Sequence, residues 1–342
     1  MMKRNILLAL ILMIIIPISL QAVSTAGVIF LLIEPGSRSG AMGHAHVAQT
    51  DDAFAGWWNT GAMAFNRKTQ FAGMHSNWFG SVFDDMYYEY LAWNQYYEDI
   101  GNIGVNLTYM TFGKQEQTDE QGNVVGSFTS FDAALGAAYG YQLNEDIGVG
   151  LNFKFIYSDL APEGQGESEE DVKGRGMSFA FDFGFLYKNF LRVQNLTYGL
   201  NLQNVGPNIT YINEAQSDPL PMNWKMGFAY RLIDKPYNQF SLSADMNKVL
   251  ANDDPLFYRL ISGWDNIDEI VYNFGAEYVY LDIFSLRSGY VWDDVGEIVG
   301  FSFGAGIHYT FTNRYKLGID FAMTPGGGLQ DYNQTFSAKL EF

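Results

Sequence analysis

From about residue 67 to the C-terminus the chain repeats one pattern, apolar residues at every second position over runs often ten or more residues long. Val299, Phe301, Phe303, Ala305, Ile307, Tyr309 and Phe311 alternate with Gly300, Ser302, Gly304, Gly306, His308 and Thr310. Met177, Phe179, Phe181, Phe183, Phe185 and Tyr187 alternate in the same way with Ser178, Ala180, Asp182 and Gly184. A period of two makes strands with two unlike faces. A soluble sandwich also alternates, but its strands usually stop at about five or six residues. Longer runs are what a tilted membrane strand requires. The second face is rich in glycine and alanine, as expected where side chains share a closed lumen. Phe301, Phe303 and Tyr309 are therefore expected to face lipid.

Fourteen such runs can be placed, from 68–78 to 332–342, an even number as bacterial barrels favour. The connections 113–128, 159–174, 205–221 and 249–269 are long and fall on one side. Those near 143–146, 189–194, 233–237, 281–282 and 312–314 are short and fall on the other. Long loops outside and tight turns in the periplasm are the membrane-barrel arrangement. The expected fold is all-β, a transmembrane antiparallel β-barrel of about 14 strands with an N-terminal hatch.

The start of the chain agrees. Lys3 and Arg4 precede the uncharged run Ile6 to Leu20, and Ala22, Ser24 and Ala26 follow, the layout of a secretory signal peptide. The expected division is a signal peptide at 1–22, a hatch at 27–66 and a barrel at 67–342. No other stretch offers the ~20 apolar residues of a spanning helix. The formal charge is −18, and loss of Lys3 and Arg4 takes it to about −20. A phosphate binder needs a basic face, so nucleic acid is not expected as a partner. The absence of cysteine leaves an exported chain without disulfides.

Residues 30–65 do not alternate and are expected to fill the lumen or cover its periplasmic mouth. Arg38, between small neighbours, suits a polar lumen with Asp182, Glu277 or Asp320 as its partner. Asp51 and Asp52 read as a helix cap and first-turn acid, and Asn59 as a turn residue bonding the backbone.

The strings FLLIEPGSRSGAMG and VAQTDDAFAGWWN resemble the start of PorV/PorQ-family proteins, relatives of the FadL long-chain fatty-acid transporters. The matching residues are Phe30, Leu31, Ile33, Pro35, Ser37, Arg38, Met42, Gly43, Asp51, Asp52, Trp58 and Asn59. After Asn59 the likeness breaks, with Thr60-Gly61-Ala62 in place of the usual Pro-Ala. Of these residues Arg38, Met42, Gly43, Asp51, Asp52, Trp58 and Asn59 are assigned a structural role in the hatch. The terminal Phe342 resembles the C-terminal aromatic of outer-membrane proteins. The resemblance implies a bacterial outer-membrane barrel of type IX secretion. Such a barrel binds the C-terminal sorting domains of secreted proteins and passes them to the surface-attachment machinery, with other secretion subunits and membrane lipid as neighbours. The alternative it implies is FadL-like transport of a hydrophobic small molecule.

Catalytic and metal chemistry find little support. His44 and His46 form a two-ligand pair without a clear third. The acidic pairs at 84–85, 253–254 and 293–294 lack calcium-loop spacing. With four histidines and no G-x-S-x-G elbow, no hydrolase site is legible, so neither an enzyme nor a cofactor is expected. The loop 249–269 is apolar where a loop ought to be polar. Leu256, Phe257, Leu260, Ile261 and Trp264 are its candidate partner contacts, unless they form an extra hairpin or a lid. The inward positions Asn152, Lys154, Asp182, Asn201, Gln203, Lys225, Arg231, Glu277 and Arg287 favour a packed or aqueous lumen over a greasy conduit. A hatch would obstruct a plain porin.

Overall fold

The computed structural model describes residues 26–342 except 50, 81, 82, 84, 120, 162–173, 212–216, 313 and 330. The expected signal peptide lies outside the described residues. Alternation is realised as strands β1 Gln70–Asn77, β2 Met86–Tyr97, β3 Gly101–Thr118, β4 Val124–Gln142, β5 Ile147–Ala161, β6 Gly174–Tyr187 and β7 Leu196–Val205. A two-residue ladder follows, β8 Ile209–Thr210 with β9 Ser217–Asp218. The second half comprises β10 Asn223–Lys235, β11 Asn238–Val249, β12 Val271–Tyr280, β13 Phe284–Asp293, β14 Ile298–Phe311, β15 Tyr315–Pro325 and β16 Tyr332–Glu341.

Apart from the β8–β9 ladder, every strand pairs antiparallel with its neighbours in sequence, β7 passes directly to β10, and β16 closes on β1, giving a fourteen-strand barrel. The closing seam runs in register from Gln70 opposite Glu341 to Asn77 opposite Gln334. Thr69 and Phe342 exchange both backbone hydrogen bonds, at 2.9 and 3.0 Å, where the seam begins. Closure satisfies every edge, which lipid demands because it offers no hydrogen-bonding partner.

The apolar faces point outward. Phe301, Phe303, Ile307 and Tyr309 of β14 are exposed while Ser302 and His308 are buried. Aromatic side chains follow one another along arcs of the barrel at two levels. Tyr87, Tyr109, Phe131 and Tyr157 contact one another in series across β2 to β5 near the loop end, at centroid distances of 6.3, 5.6 and 5.8 Å. Phe71, Phe342 and Tyr315 do so at the turn end. Such girdles mark the two interfaces of an outer-membrane barrel.

Connection lengths follow the expected parity with one correction. The segment 113–128 is not a loop. β3 and β4 continue past the girdle as a paired hairpin, with register shifts after Thr111 and Gln117, and only 119–123 turns the chain. The alternation there is polar on both faces, which hid the strands. The connection 205–221 holds the β8–β9 ladder, and 249–269 holds a short helix, Arg259–Ser262.

Candidate functional site: a filled lumen and a loop face

The segment 26–66 runs through the barrel from one end to the other. At the loop end the Gly27 amide donates to the Pro219 carbonyl at 3.0 Å, and at the turn end Asn102 Nδ2 donates to the Asn66 carbonyl at 2.9 Å. Between these points it folds as short turns: a 3-10 turn at Ile29–Leu32, then helices Ser37–Ala41, Ala55–Trp58 and Thr60–Met63. None is long enough to stand alone, so the wall must hold them.

It does so first by burial. Phe30, Leu31, Phe54, Trp57 and Trp58 pack with inward Met74, Tyr88, Tyr90 and Ile156 in one buried cluster, so the apolar core lies inside the barrel. The expectation of a polar inner face is therefore corrected for β1 and β2, whose inward residues complete that core. It is corrected also for Arg231, which is exposed beside Asp234 near a bulge at the turn end.

Close approach is the second hold. A Cβ on Gly61 would meet the Gly148 carbonyl at 2.8 Å and the Leu186 amide at 2.9 Å. Gly43, at φ +63°, lies so near β13 that a Cβ would stand 2.6 Å from the Tyr290 amide. Only glycine lets the two backbones touch in this way.

Charge supplies the third. Arg38 donates from Nε and Nη2 to Glu277 of β12 at 2.8 and 2.6 Å, and also pairs with Asp51. Arg287 of β13 bridges Glu277 at 2.7 Å and Asp320 at 2.6 Å, with His308 Nε2 3.3 Å from Asp320. Of the three acids expected for Arg38, only Glu277 reaches it, since Asp182 is held by Lys154 at 2.9 Å and Asp320 by Arg287. Higher in the lumen, Glu34 pairs with Lys225 of β10 and with His44 Nδ1 at 2.7 Å. Among the described residues no group of three metal-ligating side chains forms.

The other motif residues fall into place around these holds. Trp58 Nε1 donates to the Pro35 carbonyl at 2.8 Å. Asn59 Oδ1 accepts from the Gly61 amide at 3.0 Å while its Nδ2 donates to the Val47 and Phe185 carbonyls. Met42 is fully buried. Asp51 and Asp52 do not cap a helix as expected. Asp52 Oδ1 accepts from the Phe54 amide at 3.1 Å in the turn that precedes the helix, and Asp51 is drawn to Arg38. Sequence reasoning missed Glu34 and Asp245, whose carboxylate accepts from the Val47 amide at 2.7 Å. An inward acid at a small-residue position was the available signal for Asp245. Lys225 had been placed inward without its partner.

Two features face the loop end. A cavity of about 330 Å³ lies above the luminal segment, floored by Ile33, Glu34 and His44 and walled largely by apolar residues such as Trp78, Val249, Val271 and Val291. Beside it rises the connection 250–270. Its Arg259 is buried, donating to the Asp254 carbonyl at 2.7 Å and to Asn208 Oδ1 at 2.8 Å. Of the five candidate contacts, Phe257 (75%) and Ile261 (69%) are exposed. Leu256, Leu260 and Trp264 are half-buried, with the Trp264 ring 6.0 Å from Trp224.

A closed fourteen-strand wall, filled by its own N-terminal segment, defines an outer-membrane β-barrel. The sequence model described as type IX secretion system protein PorV matches residues 18–255, and the chain belongs to that family. The fold is similar to the crystal structure of the Pseudomonas putida toluene transporter TodX, at 12% identity and a TM-score of 0.57, over 90% of this chain and 97% of that one. It is also similar to the Ralstonia pickettii toluene transporter TbuX, at 11% identity and a TM-score of 0.51, over 90% and 97%. At such identities the likeness concerns the fold alone. No curated protein matches the chain.

Proposed function

We propose that this protein is a binding platform of type IX secretion, taking the C-terminal domains of secreted proteins on its loop face and passing them to the attachment machinery. The observation that carries this reading is the pairing of a lumen closed by buried aromatics and ion pairs with an anchored loop that exposes Phe257 and Ile261. A closed lumen conducts nothing large, whereas an exposed apolar pair on a rigid base is the kind of anchor protein partners use. The motif residues Arg38, Met42, Gly43, Asp51, Asp52, Trp58 and Asn59 act by seating the luminal segment rather than by touching cargo. Gentle purification from the native outer membrane, followed by mass spectrometry of what accompanies the protein, tests the proposal. Co-purifying exported proteins that share a C-terminal domain support it. Their consistent absence sinks it.

The cavity above Glu34 favours a second reading, uptake of a small hydrophobic molecule. At about 330 Å³ it is within the size of ligand sites. A stoichiometric lipid-like molecule in the same preparation, with no protein partner, would select that reading instead.

A further inference from the structure

The polar groups of the cavity above the luminal segment are of one kind. Its body is apolar, with Ile33, Trp78, Val249, Val271, Val291 and Ile298 in the lining. Among the described residues it is also lined by three carboxylates, Glu34, Glu269 and Asp293, and by no lysine or arginine. Two of the three are engaged from outside that lining, Glu34 by Lys225 and Glu269 by Lys248. Asp293 accepts from the Gly296 amide at 2.8 Å and pairs with no cation among the described residues. Its charge is left without a counter-charge at the cavity.

A second feature borders the same space. Asn223 of β10 is 3% exposed and lines the cavity, yet its side-chain amide bonds to no described residue, and its Oδ1 is buried without a donor. Buried polar groups in native proteins ordinarily have a partner. Asn247 of β11, also in the lining, stands opposite Lys225. It spends its Nδ2 on Asn273 Oδ1 at 3.0 Å and leaves its own Oδ1 uncommitted. The cavity thus offers acceptors and negative charge, with few groups that could receive an anion.

We propose that this cavity takes an apolar molecule whose head is a hydrogen-bond donor, neutral or cationic, and that it turns away carboxylates. The inference rests on the second reading above, in which the cavity holds a small hydrophobic molecule, and it names the class of that molecule. The tail lies against the valines and Trp78, and the head donates to the Asn223 or Asn247 amide oxygen. A few polar groups in an apolar pocket fix orientation and specificity in this way. A cationic head also gains the Asp293 carboxylate. A fatty-acid carboxylate entering the same space loses water, meets Asp293 across apolar walls and finds no cation to receive it.

The chain has no cysteine, which permits a local readout in the full-length protein. Val271→Cys places a thiol in the cavity lining, and Val125→Cys places one on the exposed β3–β4 hairpin. The rate of N-ethylmaleimide labelling is measured with decylamine, decan-1-ol or decanoate at equal free concentration, at a pH where decanoate is ionised and decylamine protonated. The expected result is that decylamine and decan-1-ol slow labelling of Val271→Cys at least fivefold, that decanoate slows it less than twofold, and that Val125→Cys is unaffected by all three. Adding Asn223→Leu lowers the protection by decan-1-ol at least threefold. Adding Asp293→Asn, which keeps an acceptor for Gly296, raises the protection by decanoate at least threefold, with heat-modifiable migration of the barrel unchanged. Protection by decanoate equal to that by decylamine, or protection indifferent to both variants, would overturn the inference and leave the second reading standing. No protection by any of the three would overturn both.

Discussion

Arg38 of the luminal segment and Glu277 of β12 form a two-point ion pair across the lumen, with Nε–Oε1 at 2.8 Å and Nη2–Oε2 at 2.6 Å. Glu277 is simultaneously held by Arg287, which reaches on to Asp320. Both partners of the central pair are largely removed from water. Such a pair adds little over an apolar contact, and when Arg38 is removed Glu277 still keeps Arg287. Arg38→Ala should therefore cost less than the about 3–5 kcal/mol of breaking an isolated buried pair. Arg38→Lys should recover only part of it, since an ammonium cannot reproduce the two-point geometry. Urea unfolding followed by loss of heat-modifiable migration measures both.

Backbone contact gives a separate prediction. On Gly289 of β13 a Cβ would run into the Gly43 amide and the Met42 carbonyl carbon, and on Gly61 into the β5 and β6 backbones. Neither clash can be relieved by rotating a side chain. Gly61→Val and Gly289→Val should expel the luminal segment from its seat while leaving the fourteen strands paired. Limited proteolysis within residues 30–65 is the readout, with cleavage expected in the variants and resistance in the parent. Resistance equal to the parent's would mean that the wall yields and that close approach is not what fixes the segment.

How much of this was legible in the chain depends on period. The fourteen strands and the closing seam followed from strict alternation, because inward and outward faces differ in chemistry over many residues. The β3–β4 extension above the girdle did not, since Lys114 to Val125 is largely polar on both faces and alternation carries no signal there. Glu277 could be placed inward by phase, but three inward acids were equally eligible partners for Arg38. Only the path of the segment decides among them. Asp51 and Asp52 show the same limit. Two acids before a helix suggest a cap, and the competing charge of Arg38 took one of them. Tyr88 and Tyr90 are buried inside the barrel, and nothing in periodicity said that the lumen holds the apolar core.

Glu34 pairs with the buried Lys225 ammonium and with His44 Nδ1 at 2.7 Å. Glu34→Gln removes the acid from this buried pair, so the variant should be less stable than the parent. Trp57 and Trp58 lie within 5.3 and 5.0 Å of the Lys225 ammonium, so their fluorescence during denaturant titration reports the difference. A stability equal to the parent's would mean that the pair does not hold the segment.

The exposed pair on the 250–270 connection gives the last prediction. Phe257 and Ile261 lie four residues apart across the start of the helix Arg259–Ser262, where positions i and i+4 share a face. Arg259 anchors the turn beneath them through Asn208. Phe257→Asp with Ile261→Asp removes two apolar anchors from a surface that the fold does not need buried, so barrel stability should change by less than about 0.5 kcal/mol. Partner anchors of this type are each worth about 2 kcal/mol or more, so recovery of exported C-terminal domains should fall by well over tenfold. Trp264→Ala separates contact from support. Its ring is half-buried against Trp224, and its loss should weaken capture only as far as it loosens the turn. If the double variant still captures those domains at the parent's level, the loop is not the binding surface and the cavity above Glu34 becomes the site to pursue.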